Sequence, residues 1–253
     1  MIRRSLALAV AVAVAVAACP AAAGAAEVTV FAAASLADAL SELGRGFEAT
    51  TKGHVVFDFG ASSDLARQVL AGAPADVFFS ADRAQVDRLE KAGLVRAAGR
   101  IDVLANTLVV IVPAASPLRL RGPSDLASLP RIALADPEAV PAGVYARTWL
   151  ESVGLWARLR GRVVPTLDVR AARAAVESEN VPAGIVYRTD AALSPRVRVA
   201  FEVPRETGPK VLYVLAPLAT SRSPLTRPLV QALTSPAAAH VYARYGFTVL
   251  LPR

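Results

Sequence analysis

Cysteine is nearly absent: Cys19 is the only one in 253 residues, so no intramolecular disulfide can form. Histidine is almost as scarce. His54 and His240 lie far apart in sequence, so together with one Cys they supply no ligand cluster for a metal. Lysine is rare too, with Lys52, Lys91 and Lys210 among 28 cations, and aromatics reach only 6%. The Arg residues are scattered among Asp and Glu, without the cationic clusters and interleaved aromatics of a nucleic-acid binder. No Gly-x-Ser-x-Gly elbow occurs, so a serine hydrolase or lyase would have to draw its general base from His54, which opens a strand-like run, or His240, which sits among Ala residues. After the leader, no apolar stretch is long enough to span a membrane.

What is present begins with an address. Met1–Ala26 has a short cationic start at Arg3-Arg4, an apolar run from Leu6 to Ala18 and then small residues, the three-part layout of a secretory signal peptide. Ala23-Gly24-Ala25 places small residues where signal peptidase reads, leaving Ala26 or Glu27 at the mature start. Val16-Ala17-Ala18-Cys19 also resembles a bacterial lipobox, and lipidation at Cys19 is the alternative ending. Both routes predict a protein that works outside the cytoplasm, free or lipid-anchored through Cys19.

In the mature chain short β-rich runs (Val28-Phe31, His54-Phe59, Asp76-Ser80, Thr107-Val112, Arg131-Ala135, Arg162-Val164, Gly184-Tyr187, Arg196-Val203 and Val211-Pro217) alternate with amphipathic helical stretches. Such alternation predicts an α/β fold with mostly parallel sheets flanked by helices. Composition breaks at Ala105-Asn106-Thr107, following a helical stretch, and at Pro204–Pro209 read as connections. They divide the chain into one lobe of residues 27–106 plus 208–253 and a second of residues 107–207.

The strand-to-helix corners carry small and hydroxyl residues. They are Ala32-Ala33-Ala34-Ser35, Gly60-Ala61-Ser62-Ser63-Asp64, Pro141-Ala142-Gly143 and Thr166-Leu167-Asp168-Val169. Ser35 followed by Asp38 has the spacing of a capping box with Asp for Glu. None of the four starts, as read, presents a Lys or Arg. Helix N-termini offer unpaired N–H groups and a partial positive charge, so convergent starts bind anions without a cationic side chain.

These corners carry a resemblance. Phe31-Ala32-Ala33-Ala34-Ser35-Leu36, Ala61-Ser62-Ser63-Asp64-Leu65-Ala66-Arg67-Gln68, Gly72–Phe78, Asp136-Pro137 with Val140-Pro141-Ala142-Gly143, Asp168-Val169-Arg170, Gly184-Ile185-Val186-Tyr187 and Tyr245-Gly246-Phe247 resemble periplasmic molybdate-binding proteins, in family order, from about Val28 to Val249. The resemblance implies a type II periplasmic-binding-protein fold with the ligand in the cleft between two lobes. It also implies a monomer without catalysis or cofactor that captures molybdate or tungstate for the membrane permease of an ABC importer. Carried over by motif, the ligand-binding residues are Ser35 and Ser62 through hydroxyls, Ala142 and Val169 through backbone N–H, and Tyr187 through its hydroxyl. Sulfate or another oxyanion is the alternative ligand. The second corner departs from the family pattern: Gly60-Ala61 stands where relatives carry more Ser or Thr, and Asp64 is expected to face outward.

Overall fold

The computed structural model describes residues 26–251, so the leader and its Cys19 lie outside the described residues. Two mixed sheets organise the chain. The first lobe is built on β1 (Glu27–Ala33), β2 (His54–Gly60), β3 (Val77–Ser80) and β4 (Ile101–Asn106), later joined by β10 (Val211–Pro217) and β11 (Thr248–Val249). Its strand order is β11-β4-β10-β3-β1-β2. The helices α1 (Ala37–Thr51), α2 (Ser62–Leu70), α3 (Arg83–Lys91), α8 (Thr226–Leu233) and α9 (Pro236–Arg244) accompany it. The second lobe has the order β7-β6-β8-β5-β9. It uses β5 (Leu108–Pro113), β6 (Ile132–Ala135), β7 (Val163–Thr166), β8 (Gly184–Tyr187) and β9 (Val197–Glu202), with α4 (Pro141–Ser152), α5 (Trp156–Leu159), α6 (Val169–Glu177) and α7 (Arg188–Ala192).

The two-lobed α/β architecture follows from the alternation read in sequence, but the expectation of mostly parallel sheets needs correction. Each sheet has two parallel pairings, β1 with β2 and β3, and β6 with β7 and β8. The remaining five pairings are antiparallel. The reason is where strand follows strand with no helix between. Thr107 alone separates β4 from β5, and only residues 203–210 separate β9 from β10. At both places the chain leaves one sheet and enters the other running against its neighbours. Burial conceals this in the sequence, because β5 is buried at every position and a strand covered on both faces shows the same apolar run in either direction.

β4 is a second correction: Asn106 ends a strand rather than a helical stretch. Its Val103 and Leu104 are fully buried, with Leu104 opposite Tyr213 of β10 and Val103 at a register shift, while Asp102 and Asn106 interrupt the apolar pattern. No helix among the described residues is long and apolar enough to cross a membrane. Trp149 is buried against Phe201, and Trp156 stacks under Arg147 at 5.3 Å, so both indoles serve packing.

Candidate oxyanion site

One small cavity lies where carboxyl ends of strands from both lobes meet. Ala33, Ala34, Ser35, Gly60, Ala61, Ser62 and Ala81 form its wall on the first lobe, and Val140, Pro141, Ala142, Asp168, Val169 and Tyr187 form the facing wall. All five residues singled out by motif are therefore brought to one place. The cavity is small, about 20 Å³ against about 450 Å³ for a surface groove beside Pro74. That room suits an ion of a few atoms.

The helix starts that meet here lack the usual caps. The residue before α2 is Ala61, the residue before α4 is Val140 and the residue before the 3₁₀ turn Ala34–Leu36 is Ala33, and none provides a side-chain cap. At helix starts that do not line the cavity, Asp82 caps α3 through Gln85 N–H and Ser235 caps α9 through Ala238 N–H. First-turn N–H groups have no partner within their helix, so at the cavity they stay available to a ligand. Among the helices at the cavity, α6 does have a cap, with Asp168 accepting from Ala171 N–H at 2.9 Å. That bond holds the Asp168 Oδ1 at its own helix start, one residue before Val169 N–H.

Gly143 fixes the position of α4. A Cβ there would fall 2.1 Å from the Ala135 carbonyl oxygen and 2.3 Å from that of Asp136. Only glycine lets the start of α4 come this close to the end of β6, and Ala142 N–H is set by that approach.

The hydroxyls are set from behind. Ser62 Oγ accepts from Ala81 N–H at 3.0 Å, which leaves its own proton free for the cavity. Ser35 Oγ lies 2.9 Å from Tyr213 Oη, and Asn106 Nδ2 donates to the same Tyr213 oxygen at 3.3 Å. Neither serine caps a helix. The capping box expected from Ser35 and Asp38 does not form, because Asp38 turns across the cleft to Arg170, whose Nη2 it meets at 2.6 Å. Tyr187 is buried, with its hydroxyl the one phenol oxygen among the described residues that is buried without a hydrogen-bond partner. Burial pushes its pKa well above 10, so it remains a donor.

A cation does stand behind the site, which the sequence reading missed. Arg170 reaches toward the Ser35 carbonyl oxygen at 3.4 Å and lies 2.7 Å from Asp190 Oδ1 as well as against Asp38. Desolvation raises the fully buried Asp190 to about 6, while Arg170 and Arg173 pull it down. Arg170 is not on the cavity wall; the one ionisable side chain there is Asp168, whose Oδ1 is occupied by Ala171 N–H, and the other lining residues are neutral. Asp64 faces outward as expected, with its Oδ1 taken by Arg67 at 2.8 Å. His54 pairs with Glu48 at the surface, and neither buried serine has an imidazole beside it. Among the described residues no cluster of acidic, Cys or His side chains is suited to a metal ion. A wider recess behind the crossovers, lined by Arg205 and Lys210, receives no unpartnered buried polar atom among the described residues.

A two-lobed α/β fold, with uncapped helix starts and buried hydroxyls converging on an ion-sized cleft, defines a solute receptor. The chain belongs to the bacterial extracellular solute-binding protein family, whose model matches residues 28–248. It is 39% identical over 229 residues to the molybdate-binding protein ModA of Escherichia coli (strain K12), covering 88% of this chain and 89% of that protein. The fold matches the periplasmic molybdate-binding protein of Azotobacter vinelandii with a TM-score of 0.79 at 23% identity, over 89% of this chain and all of that one. It matches the sulfate-binding protein SubI of Mycobacterium tuberculosis H37Rv equally well, at 0.79 and 20% identity, over 90% and 88% of the two chains.

Proposed function

We propose that this protein captures molybdate, and tungstate of nearly the same size, outside the cytoplasm and delivers it to the permease of an ABC importer. The ligand sits between a lobe of residues 27–106 plus 208–253 and a lobe of residues 107–207, which close on it as a monomer. Ser35, Ser62 and Tyr187 donate through hydroxyls, and Ala142 and Val169 through N–H. The observation that carries this reading is the buried, unpartnered Tyr187 hydroxyl on the same small cavity as two serines whose oxygens are already occupied from behind.

Molybdate is a tetrahedral dianion with four acceptor oxygens and, at neutral pH, no proton. The hydroxyl and N–H donors on the wall match it, with the Asp168 carboxylate turned to its own helix start. Each hydrogen bond to a charged group contributes about 1.5–3 kcal/mol net, so several together offset the cost of stripping water from the ion. Phosphate keeps a proton at neutral pH and would set donor against donor here, at a cost of about 1–3 kcal/mol. The leader exports the chain to the periplasm, where cleavage leaves Ala26 or Glu27 first; mass spectrometry of the mature N-terminus separates this from lipid attachment at Cys19. Titration calorimetry with molybdate, tungstate, sulfate and phosphate tests the ligand. Molybdate and tungstate are expected to bind far more tightly than the others. Sulfate binding as tightly as molybdate would overturn the assignment in favour of a general oxyanion receptor.

A further inference from the structure

Asn106 and Tyr213 do not touch the cavity, yet their geometry decides which way the Ser35 hydroxyl points. Thr107 N–H lies 2.9 Å from Asn106 Oδ1, and an N–H can meet only the carbonyl end of an amide. This fixes the amide orientation. Its Nδ2 therefore faces Thr189 Oγ1 at 2.9 Å and Tyr213 Oη at 3.3 Å, and at both it can only donate. Tyr213 is fully buried, and burial pushes its pKa well above 10, so it keeps its proton. With Asn106 occupying one side of the phenol oxygen, Ser35 Oγ is the one neighbour among the described residues that can accept the Tyr213 proton. The Ser35 proton is then left for the cavity.

We propose that Asn106 and Tyr213 are specificity-determining positioning residues: a one-way chain from Asn106 through Tyr213 to Ser35 locks that serine as a donor, so the site admits fully deprotonated oxyanions and rejects protonated ones. The proposal rests on the anion reading given above. The Ser62 hydroxyl is locked in the same sense by the Ala81 amide, which has no alternative polarity. The Ser35 lock is made of side chains and can be undone. For hydrogen phosphate to donate to Ser35 Oγ, the serine must either leave its own proton without an acceptor or turn it to Tyr213, whose proton then faces the Asn106 amide donor. Donor meeting donor in a buried place costs about 1–3 kcal/mol.

Tyr213→Phe removes the lock while keeping the ring that packs edge-on against Tyr187 and Phe247. Asn106→Asp replaces the donor by an acceptor, which lets Tyr213 turn round and accept from Ser35. Calorimetry of the exported protein and both variants with molybdate, sulfate and inorganic phosphate, between pH 6 and 8, provides the test. Tyr213→Phe is expected to shrink the preference for molybdate over phosphate by about tenfold. The preference for molybdate over sulfate, which carries no proton, stays unchanged. Asn106→Asp is expected to shrink the molybdate-to-phosphate ratio further, with the gain largest at pH 6, where phosphate is more protonated. A variant that weakens all three anions equally, with the ratios intact, overturns the proposal and leaves these residues purely structural. Wild-type protein that fails to bind molybdate at all overturns the underlying anion reading instead.

Discussion

The two walls of the cavity solve one problem with different chemistry. In the proposed function the first-lobe wall works through side chains, the Ser35 and Ser62 hydroxyls, each occupied from behind by a fixed neighbour. In that proposal the facing wall works mainly through backbone, with Ala142 and Val169 at the starts of α4 and α6, and adds one hydroxyl from Tyr187 at the end of β8. A wall of hydroxyls is vulnerable to substitution of the residues themselves. A wall of N–H groups survives any change of its own side chains that leaves the helix start in place, and fails when a neighbour moves it.

The largest expected effect tests the first wall. Replacing Ser35 and Ser62 together by Ala removes two hydrogen bonds to an ion, so molybdate affinity should fall at least about 100-fold in calorimetry. An unchanged affinity would refute the site. The next tests the second wall through a residue that offers no side chain. Gly143→Ala drives a methyl group into the Ala135 and Asp136 carbonyls, so α4 must shift, and affinity should fall about tenfold or more although no ligand-facing atom has been removed. Ala142→Ser, by contrast, should leave affinity within about threefold, since the N–H is retained. Tyr187→Phe should cost about tenfold in affinity while the melting temperature of the ligand-free protein does not fall, because the hydroxyl has no partner to lose there.

An effect on binding as small as that of Ala142→Ser is expected at Asp190, behind the second wall. Its pKa is raised from 3.8 to about 6, so the folded state holds a proton that the unfolded state releases at lower pH. Its contribution to stability is full below about pH 4 and declines as pH rises toward 6, by up to about 3 kcal/mol. Urea unfolding of Asp190→Asn should lack this slope, with molybdate affinity at pH 7 within about threefold of wild type.

How much of this was legible in the sequence differs between the same two kinds of chemistry. Ser35 and Ser62 stand out because hydroxyls among small residues at strand-to-helix corners have an obvious use, whereas Tyr187 ends an apolar strand and was reached through the motif resemblance. Ala142 and Val169 are indistinguishable from core residues by type, and only the motif resemblance pointed to them. Tyr213 was hidden within an apolar strand, although a buried Tyr calls for a partner, and Asn106 was read as part of a connection. Arg170 was quoted within a motif but its reach across the cleft to Asp38 depends on tertiary placement. Strand direction was illegible for the reason β5 shows: burial on both faces leaves no mark of orientation.

The bridge from Asp38 to Arg170 joins the two halves of the molecule at a place where Asp38 is still 44% open to solvent. Ions in the medium therefore weaken this clasp while leaving the sequestered cargo contacts untouched. Cargo should escape faster from the protein in concentrated salt than in dilute buffer, a difference that stopped-flow release measurements would register and that Arg170→Gln should abolish.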